Sequence, residues 1–190
     1  MNTSILAAEK TALRTRLKQI RTSLPAEFRA SATQAITENL LGLHEVVSAR
    51  TVFIYISHGN EVDTHGLLRH FLAKGMMVTV PKILPNRTMI AVPFDRWVDL
   101  TPGELGILTP SGDIPCSLPI DIVITPGLGF TAEGHRIGYG RGYYDKWFAE
   151  HRTGKKIALA FDAQVIHDIP HDENDIPVEI LITEKRIMIL

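Results

Sequence analysis

Two hydrophobic textures divide the chain. Up to about residue 43, apolar residues recur at helical spacing; from residue 51 they come in short, nearly continuous runs. At about 100° per residue, Leu6, Leu13, Leu17, Ile20 and Leu24 fall on one narrow stripe, which predicts a helix over 4–22. Lys10, Arg14, Lys18 and Arg21 form a second stripe beside it. Such stripes are usually solvated faces, but one that borders the buried face can reach into a cleft. Pro25 suits the first turn of a second helix, about 25–42, with Phe28, Ala35, Ile36 and Leu43 inward.

Beyond residue 50 the run "TVFIYI" predicts a strand buried on both faces. A helix over about 63–74 follows, with Asp63 or Thr64 as its cap, then a strand "MMVTV" closed by Pro81. Further strands are expected in "TMIAVPF" (88–94), "DIVITP" (121–126) and "KIALAF" (156–161), with a helix near 141–151. The last two runs, "EILIT" and "RIMIL", read as a hairpin. Pro102, Gly103, Gly106, Pro110, Gly112, Pro115 and Pro119 mark 95–120 as mostly extended loop. Strands alternating with helices predict a three-layer α/β/α sandwich with a largely parallel sheet, whose ligands bind beyond the carboxyl ends of the strands. One domain is expected over 1–190, with the helices of about 4–42 packing on its α/β core.

Composition changes this picture little, at 45% hydrophobic and 22% charged. The formal net charge of −1 provides no global attraction for nucleic acid or an acidic membrane, so any basic site is local. The single cysteine, Cys116, cannot form an internal disulfide and reads as a loop residue. No run approaches the roughly 20 apolar residues that cross a bilayer, and the first 14 residues do not resemble a signal peptide. A cytoplasmic protein is expected. The histidines show no ligand spacing; His44, His58 and His151 read as surface or packing residues, and no zinc site is supported.

The chemistry concentrates in "GHRIGYGRGYYDKWF", residues 134–148, directly after a predicted strand. It lacks both the lysine ending of a P-loop and the spacing of a dinucleotide fold. Gly138, Gly140 and Gly142 would let the backbone approach a ligand at alternate residues. The following helix would point free N–H groups at an anion. Arg136 and Arg141 add charged donors, Tyr143 and Tyr144 can stack or donate, and Asp145 is a hard oxygen ligand suited to Mg²⁺. The plainer alternative is a tight turn with core tyrosines and Asp145 as a helix cap. Near other strand ends lie Ser57, Glu61 and Asp63, with Lys82 expected beside the same crevice; Glu61 could fix a donor on a substrate. Asp172, Glu173 and Asp175 precede the last hairpin, where acidic turn residues are usually solvated.

Taken together, "DIVITPGLGFTAEGHRIGYGRGYYDKWF" resembles the signature of the 5-formyltetrahydrofolate cyclo-ligase family, also called methenyltetrahydrofolate synthetases. Weaker matches follow in order along nearly the whole chain: "KTALR" at 10–14, "YISHGNEVDT" at 55–64, "PGELGILTP" at 102–110 and "AFDAQVIHDIPHDENDIPVEILITE" at 160–184. Thr109 stands where the family often has an acidic residue, and Asn174 where many members have histidine.

The resemblance implies a fold like that of ribose-phosphate isomerases and coenzyme A transferases. It also implies ATP- and Mg²⁺-dependent conversion of 5-formyltetrahydrofolate to 5,10-methenyltetrahydrofolate. By the same resemblance Arg136, Tyr143 and Asp145 are catalytic, and Lys10, Arg14, Arg136, Gly138, Gly140, Gly142 and Tyr144 hold ATP. Ile56, Glu61, Tyr139, Gly140, Arg141, Gly142 and Tyr143 contact the folate, and Asp145 and Asp175 share the metal. Expected partners are the folate and ATP alone, with no nucleic acid or membrane, for a chain acting as a monomer. The rival readings are a sugar-phosphate isomerase-like enzyme and a non-catalytic folate or nucleotide sensor.

Overall fold

The structure is a computed structural model that describes residues 3–103 and 107–190. Gly106 and the middle of "PGELGILTP" lie outside the described residues.

The strands β1 (Thr51–Ile54), β2 (Met77–Ile83), β3 (Met89–Pro93), β6 (Ile122–Thr125), β9 (Lys155–Leu159), β10 (Ile180–Ile182) and β11 (Ile187–Ile189) form one sheet. Their order is β11-β10-β9-β6-β1-β2-β3. The five inner strands are parallel, and antiparallel β3 and β11 close the two edges. Alternate residues of the inner strands face opposite layers, as the two-residue period of a strand requires. Val52, Ile54, Ile122, Ile124 and Ile157 pack against Ala32, Ile36 and Leu40 of α2 (Ala26–Leu41), which the one-turn α3 (His44–Val47) follows, and against Leu67, Leu68 and Phe71 of α4 (His65–Ala73). Phe53 and Val123 point the other way, to Trp147 and Phe148 of α5 (Tyr143–Glu150). The expected α/β layering and largely parallel sheet are therefore present.

Helix α1 (Thr3–Ser23) does not lie on the sheet. Its Leu17 is fully buried against Leu128, Ile137 and Ile169, in loops that emerge from the strand ends. This seating is possible because Gly129 has no side chain: a Cβ there would stand 2.6 Å from Leu17 Cδ1. The apolar stripe is thus turned onto the loops that carry the chemistry, and the neighbouring basic stripe comes to their rim.

Several local expectations need correction. Strand β1 ends at Ile54, although Tyr55 and Ile56 remain buried. Pro81 does not close β2; it pairs opposite Ala91 in the antiparallel extension to β3. The β1–β2 ladder covers only Met77–Thr79, so no β1 carbonyl awaits the N–H that proline lacks. The stretch 95–120 is mostly loop, as expected, and within it β4 (Leu100–Pro102) and β5 (Leu108–Pro110) make a small antiparallel ribbon. A second ribbon, β7 (Gly129–Phe130) with β8 (Arg136–Ile137), opens the glycine-rich segment. Neither Asp63 nor Thr64 acts as the expected N-cap on the second or third helical N–H of α4. Asp63 accepts from His65 N–H, and Thr64 turns inward, donating to the Tyr55 carbonyl and accepting from Ser57 N–H. Lys82 Nζ donates to the carbonyls of Ser111 and Gly112.

At the amino ends of the strands, Asp121 ties three of them together. Its carboxylate accepts the N–H groups of Arg50 (2.7 Å) and Thr51 (2.9 Å) at the start of β1. Its carbonyl accepts from Lys155 at the start of β9. Gly154 packs so closely here that a Cβ would stand 1.8 Å from that carbonyl oxygen. Gly154→Ala should therefore cost about 2 kcal/mol through forced backbone displacement. Thermal unfolding should show a Tm lower by roughly 4–8 °C, while ligand affinity at the far ends of the strands stays unchanged.

Candidate active site

The chain leaves β1 toward β2 on one side of the sheet and leaves β6 toward β9 on the other. Where these directions part, no connection crosses the strand ends, and a crevice opens. The loop 55–64 after β1 and the loop 126–142 after β6 are its two walls, and α1 lies across their rim.

The glycine-rich loop is shaped by arginines. Arg136 is buried at 7% exposure and forms an ion pair of 2.6 Å with Asp145 Oδ1. Its guanidinium lies 5.8 Å from the Tyr144 ring centroid, and a Cβ on Gly138 would stand 3.2 Å from its Nη1. Arg14 Nε donates to the Gly138 carbonyl at 3.0 Å. Gly140 adopts φ +97°, and its Cβ position is 3.2 Å from the Arg14 guanidinium carbon. A side chain there would be strained by the backbone and crowded by Arg14. Gly142, at φ +66°, starts α5. The glycines therefore make room for two guanidinium groups as well as for a close backbone approach.

Asp145 is not the helix cap of the plainer alternative, because its Oδ1 accepts from Arg136 and from Ile176 N–H at 3.3 Å. Asp175 Oδ2 accepts from Asp172 N–H at 2.8 Å and pairs with Lys10 Nζ at 2.5 Å. Lys10 also lies 3.7 Å from Asp172. Between Asp145 and Lys146 on one side and Asp172, Asn174 and Asp175 on the other is a cavity of about 380 Å³. No cluster of three or more His, Cys, Asp or Glu residues suited to a metal occurs among the described residues. Each of Asp145 and Asp175 commits one carboxylate oxygen to hydrogen bonds and leaves the other. Two carboxylates on a cavity wall, with phosphate oxygens and water to complete the shell, suit Mg²⁺, which seldom takes an all-protein cage.

The opposite wall centres on Glu61, whose side chain is 10% exposed. Its Oε1 accepts from the Tyr139 hydroxyl at 2.5 Å, and its Oε2 from His58 N–H at 2.9 Å. Arg21 Nη2 donates to the same Tyr139 hydroxyl at 2.7 Å, and Arg21 Nη1 is 3.8 Å from Glu61. Burial first, and then the Glu61 charge, pushes the Tyr139 hydroxyl well above its ordinary range. Burial does the same for Tyr55 and Tyr144. All three phenols stay protonated at neutral pH; Tyr55 donates to the Val62 carbonyl and Tyr139 to Glu61. The Tyr144 hydroxyl and Arg136 Nε are buried without a protein partner.

The residues singled out from the sequence thus meet in two groups: Asp145 and Asp175 line the cavity and are paired with Arg136 and Lys10, with Arg14 on the Gly138 carbonyl, while Tyr139 reaches from the glycine-rich loop to Glu61 on the other wall. Tyr143 and Tyr144 are half-buried against the Phe53–Trp147 cluster, and Arg141 is exposed. Ile56 is set apart: at 4% exposure it packs in the main core, so its side chain is covered. Two residues escaped sequence reasoning. Arg21 belonged to the basic stripe without a partner, and Asp172 was one of several turn acids. Helical spacing signals a face but not what meets it across the fold.

A strand-end crevice walled by arginines, glycines and carboxylates defines an α/β protein built to handle a polyanion. Residues 6–184 match the 5-formyltetrahydrofolate cyclo-ligase family, and the chain belongs to it. The 5-formyltetrahydrofolate cyclo-ligase of Mycolicibacterium smegmatis is 31% identical over 189 residues, covering 93% of this chain and 94% of that protein. The probable 5-formyltetrahydrofolate cyclo-ligase of Caenorhabditis elegans is 28% identical over 201 residues, with 98% of each chain covered. The solved structure of the 5,10-methenyltetrahydrofolate synthetase of Aquifex aeolicus superposes with a TM-score of 0.84 at 31% identity, covering 95% of this chain and 92% of that one. A synthetase from Mycoplasma pneumoniae shares the fold at 22% identity, with a TM-score of 0.73 over 93% of this chain and 99% of that one.

Proposed function

We propose that the protein closes 5-formyltetrahydrofolate to 5,10-methenyltetrahydrofolate at the expense of ATP, releasing ADP and phosphate. The observation that carries this is the meeting of Lys10 with Asp175, 165 residues away, beside the glycine-rich loop. The convergence of a basic helix stripe, a glycine turn and an acidic turn beside one cavity supports a polyanion as its occupant. An isomerase would leave the stripe idle, and a sensor would have no need of a buried Arg136–Asp145 pair.

In the first step the formyl oxygen attacks the γ-phosphorus and the bond to ADP breaks, leaving an iminium phosphate. N10 then attacks the activated carbon and gives up its proton to the departing phosphate or water, and the carbon–oxygen bond breaks as phosphate departs. Catalysis of this kind is mainly positioning and charge neutralisation. Lys10 and Arg14 approach from the α1 side and Arg136 from the loop, to meet phosphate oxygens. The backbone of Gly138, Gly140 and Gly142 brings N–H groups close, and Tyr144 lines the nucleotide side. Tyr143 separates nucleotide from folate. Tyr139, Gly140, Arg141 and Gly142 face the folate, while Glu61 accepts from its ring N–H groups. Asp145 and Asp175 would hold Mg²⁺, which when bound neutralises phosphate charge. The covered side chain of Ile56 leaves it only a backbone or packing role toward the ring. A polar crevice at the strand ends fits small-molecule partners. Among the described residues, no helix is long and apolar enough to cross a membrane.

Lys10→Ala should raise the KM for ATP about tenfold, the scale of one lost charge-assisted contact. The KM for the folate should stay within about twofold. Steady-state titration of each substrate at saturating levels of the other checks this division. An effect confined to the folate KM would contradict it.

A further inference from the structure

Arg21 has no part in the scheme so far, yet it is more deeply buried than any other cation of the basic stripe. It is 8% exposed, and its Nε is buried without a partner. Seven residues separate it from Arg14, so the two lie on one face of α1, two turns apart. Both grip the same loop: Arg14 holds the Gly138 carbonyl and Arg21 the Tyr139 hydroxyl, on consecutive residues. What distinguishes Arg21 is its second partner. It is the only arginine or lysine paired with Glu61 among the described residues, and the Tyr139 hydroxyl bridges the two groups at 2.7 and 2.5 Å.

This arrangement solves a problem that Glu61 creates. A carboxylate covered to this degree is costly unless a charge or several donors compensate it. Glu61 has two donors in the free protein, His58 N–H and the Tyr139 hydroxyl. The second sits on Oε1, where a substrate N–H must go if the oxygen is to accept it. When Tyr139 yields that position, its hydroxyl bond is lost, and beside His58 N–H on Oε2 a fixed cation is needed to keep the carboxylate aimed. Arg21 is that cation. Its free Nε gives it a donor in reserve, and its anchorage on α1 keeps it still while the glycine-flanked Tyr139 moves. Lys18, which also approaches the Tyr139 ring, is exposed and has no contact with Glu61.

We propose that Arg21 is a positioning residue for the folate half of the site, holding the Glu61 carboxylate in place while the Tyr139 hydroxyl exchanges with the substrate's ring N–H. The proposal rests on Glu61 being the acceptor for the folate ring, as inferred above. Arg21 does not touch the reacting atoms, so its loss should appear in folate affinity and not in the use of ATP.

The test compares Arg21→Met and Arg21→Lys, each alone and combined with Glu61→Gln, by steady-state titration with 5-formyltetrahydrofolate and with ATP. Arg21→Met is expected to raise the folate KM about tenfold or more, with the ATP KM within about twofold. Arg21→Lys, which keeps the charge but cannot span both partners, should fall between Arg21→Met and the unaltered protein. In the Glu61→Gln background, where no charge remains to be held, either substitution should add less than about twofold. An equal rise in both KM values, or an undiminished effect beside Glu61→Gln, would show that Arg21 merely seats α1 and would overturn the proposal. If Arg21→Met does not fold, Arg21→Lys and its double variant decide by the same criterion. An unaltered protein with no ATP-dependent turnover overturns the activity itself, and the role of Arg21 with it. An active protein with an unselective Arg21 effect overturns only the role.

Discussion

Asp145→Asn should lower turnover by about a hundredfold or more, the scale of one lost electrostatic contact to a transferring group. Binding of 5-formyltetrahydrofolate without nucleotide should change by less than about threefold. Asparagine keeps an oxygen for Ile176 N–H and nearly the same shape, so the backbone around α5 has no reason to move. It loses the negative charge that pairs with Arg136 and that a hard divalent cation requires. The loss should therefore be steepest when Mg²⁺ is limiting and shrink as Mg²⁺ rises. Titrating Mg²⁺ at fixed ATP measures this, and turnover unchanged at limiting Mg²⁺ would exclude Asp145 as a metal ligand. Circular dichroism of the variant separates this effect from unfolding.

The second large effect is expected from Arg136→Lys, which keeps the charge. Arg136 is buried, with one guanidinium nitrogen on Asp145 Oδ1, another close under Gly138, and its central carbon 5.8 Å from the Tyr144 ring centroid. Lysine, with a single nitrogen, cannot reach both places. It would centre one strongly hydrated charge in a space shaped for a flat group, leaving both Asp145 and the loop backbone misplaced. Turnover should fall about a hundredfold, with a smaller rise in the ATP KM, because a misaligned γ-phosphate costs more in the transition state than in binding. A lysine variant that retained more than about a third of the activity would show that Arg136 acts only as a charge.

The parts of the fold legible from sequence are those governed by a single period or a single local rule. "TVFIYI" and "DIVITP" read as inner strands because burial on both faces removes polar residues altogether. The terminal hairpin reads from its two short apolar runs. Pro81 misled because a proline stops a strand only where a neighbour needs its N–H, and that depends on how far β1 extends beside it. The ribbons of Leu100–Pro102 with Leu108–Pro110 and of Gly129–Phe130 with Arg136–Ile137 are held by pairing between pieces too short to have a period.

The site shows the same division. Gly138, Gly140, Gly142, Arg136 and Asp145 could be grouped because they are neighbours along the chain. Lys10 with Asp175 and Arg21 with Glu61 are long-range pairs, which only the docking of α1 on the strand-end loops creates. The stripe on α1 announced that some cation would reach the crevice. Which acid each cation meets follows from Leu17 settling over Gly129, a close packing with no mark in local sequence.

The most direct test of the function is to incubate the purified protein with 5-formyltetrahydrofolate, Mg²⁺ and ATP, following the near-ultraviolet absorbance of the methenyl product. An ATP-free control runs in parallel. Growth of that band only where ATP is present, with matching release of ADP, is the expected result. A flat trace with both ligands demonstrably bound would contradict it and leave a sensor, and a band that grows equally without ATP would contradict the phosphorylated intermediate.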